Sequence, residues 1–198
     1  MNNTLKQPKT SIKQESFLAQ YIKNPKERKR VMITFSIVVI LFVVSFLFIS
    51  YFYKQWIIED ILVYKKSFKK IGSIARIGFF ATVSIYPIFL LLKWKPLKQI
   101  VFGSFELKTL LQLIGKLVRE WHVPIAILST GIVLLHSYMA ILKEFKWNFT
   151  YLSGIISIFV LFLLIFMGLK RYKKKDKKWH FKLAIVFLIL FMLHATFS

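Results

Sequence analysis

The chain has 198 residues, of which 57% are hydrophobic and 17% aromatic, yet it carries a formal net charge of +22. A soluble domain of this length cannot bury so much apolar surface, so a soluble globular protein is excluded. The basic residues flank long apolar runs and form no mixed basic and aromatic surface, which argues against nucleic acid and favours anionic lipid head groups as partners.

A polar, basic tail covers residues 1–30, and five apolar segments follow, each close to the ~20 residues that cross a bilayer. Residues 31–198 are therefore predicted to form one all-α transmembrane domain, a bundle of about five helices. Leucines between basic residues in Phe105–Arg119 predict an interfacial helix before the third span, and Pro124 is expected to mark the turn into that span. The predicted spans are Val31–Tyr53, Ile71–Leu92, Val118–Leu142, Phe149–Leu169 and Trp179–Phe197.

Lysine and arginine are distributed unevenly between the two sides. If the N-terminus is cytoplasmic, the inner segments 1–30, 93–119 and 170–179 hold 8, 6 and 7 of these residues, and the outer segments 54–71 and 143–149 hold 5 and 2. Cytoplasmic segments carry the excess of Lys and Arg. We therefore expect a multi-pass protein of the cell membrane, with its N-terminus in the cytoplasm and its C-terminus outside.

Two of the predicted spans repeat one pattern, in which Trp-His opens the span and a second histidine follows fourteen positions after the first. Four helical turns take about 14.4 residues, so the two histidines of a span lie on nearly one face, about 21 Å apart. Both spans run in the same direction, so their histidines lie at matching depths. The chain has four histidines, and all belong to this pattern: His122, His136, His180 and His194.

Histidine pairs inside a membrane are suited to hold b-type heme. Two neutral imidazoles give the iron a closed six-coordinate shell, which favours electron transfer over ligand exchange. The absence of cysteine excludes disulfides, thiolate-held zinc, cysteine-ligated iron–sulfur clusters and covalent heme attachment. Facing each other, the two helices would therefore hold two hemes, one above the other.

Further residues are expected to contact these hemes. Propionates need cationic partners, and the candidates are Arg119 and Lys182 near the inner pair and Arg76 near the outer pair. Gly131, midway between the histidines of the third span, is expected to let a flat macrocycle approach, whereas the equivalent Ile189 offers no such room.

Plainer interpretations stay open for some of these residues. Arg76 could instead extend to the outer head groups. Trp121 and Trp179 are most simply anchors at the membrane interface, where tryptophan is enriched. The lysine run 170–178 is first a topology signal and second a docking surface for an acidic electron donor.

The paired histidine helices, the short basic loop Lys170–Lys178 and the preceding Ile71–Leu92 helix with Arg76 resemble the ferric reductase-like transmembrane domain. Members include ferric reductases, NADPH oxidases and the heme-bearing membrane subunit of a bacterial methionine sulfoxide reductase system. The resemblance covers about residues 70–198, and the histidine pattern is its specific part. It implies two stacked b hemes that carry electrons outward, ligated by His122 with His180 and by His136 with His194.

The sequence departs from that family in two ways. Members typically have six spans, and many carry a flavin- and nicotinamide-binding module, whereas five spans and no glycine-rich dinucleotide fingerprint are found here. We therefore expect an oxidoreductase-type electron-transfer subunit without catalytic residues of its own. Its donor would be a separate flavoprotein, reduced flavin or quinol, and a partner subunit or second copy would cover the outer heme. The alternatives are a quinol-oxidising diheme cytochrome b and a non-redox membrane scaffold or transporter subunit.

Overall fold

The computed structural model describes residues 16–102, 105–175 and 178–197. Of the predicted basic tail, residues 1–15 lie outside the described residues, and the remainder forms a short helix and the first turns of a long one. A 3-10 turn, Lys95–Gln99, and a two-residue ladder of β1 (Val101–Phe102) with β2 (Phe105–Glu106) lie between the fourth and fifth helices. The helices are α1 (Phe17–Tyr21), α2 (Pro25–Ile58), α3 (Ile61–Val83), α4 (Ile85–Lys93), α5 (Leu107–Lys143), α6 (Phe149–Tyr172) and α7 (Trp179–Phe197).

Five helical segments are long and apolar enough to cross a membrane: α2, α3 with α4, α5, α6 and α7. Many of their large apolar side chains face outward; Ile40 and Leu47 of α2, for example, are 62% and 60% exposed. Such surfaces are unfavourable in water and suited to lipid, where helices also satisfy their own main-chain hydrogen bonds. The protein is therefore an all-α, multi-pass membrane protein, which confirms the predicted fold class.

The second span begins ten residues before its predicted start at Ile71. It begins at Ile61, where Asp60 caps α3 by accepting a hydrogen bond from the Val63 amide at 3.0 Å, and so includes the lysines that the sequence placed in a loop. It is also interrupted at Ser84, between α3 and α4. Pro87 explains the interruption, because it has no N–H to offer the carbonyl of Val83 and its ring crowds that carbonyl.

The segment predicted as an interfacial helix forms the first turns of α5, which continues without interruption through Pro124. Pro124 lacks the N–H that would bond the carbonyl of Glu120. Arg30 of α2 compensates, because its Nη1 donates to that carbonyl oxygen at 3.0 Å while its Nη2 lies 3.3 Å from the Glu120 carboxylate. Pro124 therefore does not mark a turn, because a side chain from another helix replaces the missing bond.

The helices pack as two antiparallel pairs, α3 with α5 and α6 with α7, and α2 lies against α5. One buried cluster joins the pairs and is centred on Phe79, Phe187 and Phe191. A second cluster ties α2 and α3 to α5 around Tyr64 and Met139, where the buried Tyr64 hydroxyl donates to the Met139 carbonyl. This packing fixes the faces of α5 and α7 that carry the histidines.

Candidate heme-binding site

The structure brings the four histidines together as two pairs between α5 and α7. The ring centres of His122 and His180 lie 6.3 Å apart, with their planes at 70°. Those of His136 and His194 lie 6.4 Å apart, with their planes at 78°. Residues fourteen apart on each helix thus face partners at two separate depths, as the spacing predicted.

These separations fit a metal ion shared by two imidazoles. The distance from metal to nitrogen is about 2 Å, and the distance from that nitrogen to the centre of its ring is about 1.2 Å. Two rings that bind one ion from opposite sides therefore have their centres about 6.4 Å apart. The observed values of 6.3 and 6.4 Å agree with that sum. The described residues contain no group of three or more His, Cys, Asp or Glu side chains able to hold an ion. Two imidazoles alone suit an iron whose other four ligands come from a macrocycle.

The hydrogen bonds of the imidazoles select their tautomer. In each ring Nδ1 lies within hydrogen-bond distance of a main-chain carbonyl, which belongs to α3 for the histidines of α5 and to α6 for those of α7. A carbonyl oxygen only accepts, so Nδ1 carries a proton, and in the neutral ring Nε2 then keeps its lone pair. Metal-bound histidines almost always make such a second bond, which also fixes the ring orientation. The bonds run from His122 to Thr82 (3.0 Å), His136 to Phe68 (3.2 Å), His180 to Leu164 (3.2 Å) and His194 to Thr150 (3.0 Å).

Glycines give the imidazoles access to these carbonyls. A helical side chain covers the turn before its own Cα, so the residue four positions after an acceptor shields that carbonyl. Three of the four acceptors are followed at that position by glycine: Gly72, Gly154 and Gly168. A Cβ added there would lie 2.9 Å from Cε1 of His136, 3.0 Å from that of His194 and 3.4 Å from that of His180.

The fourth acceptor is reached differently. Four positions after Thr82 stands Tyr86, but the helix is interrupted between them at Ser84. His122 bonds to the Thr82 carbonyl at this interruption. The break caused by Pro87 therefore replaces the missing glycine at this position.

Sequence reasoning missed these glycines and singled out Gly131 instead. A Cβ at Gly131 would lie 2.5 Å from Cγ1 of Val38. The absence of a side chain at Gly131 therefore allows α2 to pack closely against α5 and does not open space toward α7. A signal for two of the three was present, because Gly154 and Gly168 are fourteen residues apart, the same spacing as His180 and His194.

The three cations expected near propionates are all exposed. Lys182 and Arg119 lie within a turn of the histidine that begins each pattern, and the Lys182 ammonium is 4.9 Å from the ring centre of Trp179. Arg76 lies farther from the His136 pair than expected. Along the axis of α3 it is about 12 Å from Phe68 and about 9 Å from Thr82, so its depth falls between the two pairs.

Aromatic rings fill the depth between the pairs. The ring of Phe79 lies 5.0 Å from that of Phe187 and 5.6 Å from that of Phe191, and the last two are stacked at 5.7 Å. All three side chains are less than a tenth exposed. The two histidine pairs are therefore separated by a tightly packed apolar layer.

Comparisons of the chain with protein-family models, with curated proteins and with solved structures find no match. Function is therefore inferred from the geometry of the two histidine pairs.

Proposed function

We propose that this chain is a transmembrane electron-transfer protein that holds two b-type hemes. His122 with His180 would ligate one, and His136 with His194 the other. The observation that carries the proposal is the shared geometry of the four imidazoles: each donates Nδ1–H to a main-chain carbonyl, and the ring centres of each pair are 6.3 and 6.4 Å apart. Bound heme would supply a one-electron iron centre at each of two depths.

The residues around the histidines support that role. The hydrogen bonds to the carbonyls hold each imidazole in one orientation and one tautomer. The rings would therefore move little when the charge of a bound iron changes. With two imidazoles at each site, bound heme would have no open position for an exogenous ligand. The packed layer of Phe79, Phe187 and Phe191 keeps water from the region between the two depths.

We propose that the N-terminus is cytoplasmic and the C-terminus outside. The segments 1–30, 93–119 and 170–179 carry 8, 6 and 7 Lys or Arg residues, against 5 and 2 in the segments 54–71 and 143–149. On this orientation the His122 pair lies toward the cytoplasm and the His136 pair toward the outside. Electrons would then enter at the first pair and leave at the second.

The spacing of the histidines in the sequence resembles that of the ferric reductase-like transmembrane domain, and we propose a role of that kind. The donor would be a separate flavoprotein, reduced flavin or quinol. A partner subunit or a second copy would cover the outer heme. The chain would act as the electron-transfer subunit of an oxidoreductase, with Arg76, Arg119 and Lys182 as candidates to meet the propionates.

Two measurements test the proposal. Protein expressed with ample heme should contain two b-type hemes per chain, counted after extraction. In vesicles with reductant trapped inside, it should reduce external ferricyanide faster than vesicles that contain the His136→Ala variant. A chain without heme would overturn the proposal, and so would a rate equal to that of the variant.

A further inference from the structure

A groove of about 470 Å³ lies between the first turns of α2 and Trp121 of α5, on the lipid-facing side of the bundle. Its lining changes along α2. Lys26, Lys29 and Arg30 form one end, and Ile33 and Ile37 form the other. We propose that this groove is a binding site for one anionic phospholipid, a site that is independent of heme.

The cationic end has the charge that an anionic head group requires. Lys26 and Lys29 are exposed, and in the part of the chain that the structure describes neither ammonium belongs to an ion pair. Glu120 pairs with Arg30, so the Arg30 charge is already offset, while Glu27 accepts a hydrogen bond from the Tyr172 hydroxyl at 2.7 Å. The charges of Lys26 and Lys29 are therefore the ones that a phosphate would meet, and basic pockets between membrane helices bind such head groups.

The apolar end continues into the lipid-facing surface of α2. Ile33 and Ile37 are 48% and 50% exposed, and Ile40 and Val44 extend the same face at 62% and 59%. Spacings of three and four residues place these side chains in one stripe along the helix. An acyl chain can follow this stripe while its head group stays at the cationic end, which distinguishes a phospholipid from a free phosphate.

The wall of the groove is held in place before any lipid binds. The Arg30 guanidinium is fixed by the Glu120 carbonyl and carboxylate, and it lies 5.3 Å from the ring centre of Trp121. Trp121 is 45% exposed, as expected of a tryptophan at the membrane interface. The site thus needs little ordering of its own side chains, which lowers the entropic cost of binding.

Native mass spectrometry of the purified full chain tests this site, by titration with dioleoyl phosphatidylglycerol or dioleoyl phosphatidylcholine. We expect one tightly bound phosphatidylglycerol and weaker phosphatidylcholine. Each lysine near an anionic head group contributes a similar share of the binding free energy, and the effects of two lysines multiply in the affinity. The double variant Lys26→Gln with Lys29→Gln should therefore weaken phosphatidylglycerol binding roughly thirtyfold. The matched control, Lys108→Gln with Lys116→Gln, removes two charges from the same end of the bundle outside the groove and should change the affinity less than about twofold.

A third variant tests the groove without changing charge. Ile33→Trp fills the space between the cationic end and the apolar stripe, and we expect it to abolish the tightly bound lipid. Equal binding of both lipids would overturn the site. Equal weakening by the two lysine pairs would also overturn it, because the attraction would then be spread over the whole basic surface. Phosphatidylglycerol binding to the Ile33→Trp variant as tight as to the wild type would overturn the site as well.

Discussion

The imidazole of His194 occupies the space that a side chain at position 154 would fill, since a Cβ on Gly154 would lie 3.0 Å from Cε1 of His194. That contact is closer than packed carbon atoms normally allow. The glycine on α6 therefore determines how near the histidine on α7 comes to its acceptor, the Thr150 carbonyl.

The Gly154→Ala variant should displace the His194 ring and lengthen its bond to Thr150. We expect the heme at the His136 pair to be lost or to change its reduction potential. This effect is expected even though alanine stabilises a helix more than glycine does. Heme content and redox titration of the purified protein measure this. Gly168→Ala is the graded comparison, because its Cβ would lie 3.4 Å from Cε1 of His180, and we expect it to perturb the heme at the His122 pair less. Equal effects of the two variants would contradict the order that these two distances predict.

The apolar layer between the pairs should contribute strongly to stability. Phe187 is 3% exposed, and Phe187→Ala leaves a cavity between packed helices. Because lipid or detergent keeps the ring of the unfolded state in an apolar environment, only this packing term is lost, about 1–3 kcal/mol. Phe159→Ala is the control, because that ring is 63% exposed on the lipid-facing side. Thermal unfolding in detergent, followed by circular dichroism, should show a clearly lower Tm for the first variant only. Similar Tm values for the two variants would show that Phe187 is not part of a packed core.

Arg30 and Pro124 should be energetically coupled although they lie on different helices. Arg30→Gln removes the donor to the Glu120 carbonyl and should cost about 1–2 kcal/mol. In a Pro124→Ala background the alanine amide can bond that carbonyl, so the same change should cost less. A double-mutant cycle on unfolding free energies measures the difference. Strict additivity would mean that Arg30 does not compensate for the proline.

Much of the fold was readable from the sequence because it depends on local composition. Apolar runs predicted all five spans, and helical periodicity placed His122 with His136, and His180 with His194, on one face of each helix. The start of α3 was missed because its lysines lower the hydropathy, although Tyr64 in the same stretch is fully buried. Local patterns therefore identify helices better than they identify helix ends.

The missed features depend on contacts between distant residues. The helix continues through Pro124 because Arg30, far away in sequence, bonds the freed carbonyl. The roles of Gly72 and Gly154 depend on carbonyls presented to histidines of another helix. Gly131 was expected to face the space between α5 and α7, whereas it faces α2, and the sequence of α5 alone does not show which helix packs there. The fourteen-residue spacing of Gly154 and Gly168 is present in the sequence, but which side chains contact these glycines follows only from the placement of the helices.

The most direct test of the account is the pairing of the histidines, measured by redox titration at the heme absorption bands. The wild-type protein should show two one-electron transitions. His122→Ala and His180→Ala should both remove the same transition. His136→Ala and His194→Ala should both remove the other one. Absence of heme from the wild type, or loss of the same transition in His122→Ala and His194→Ala, would contradict the account.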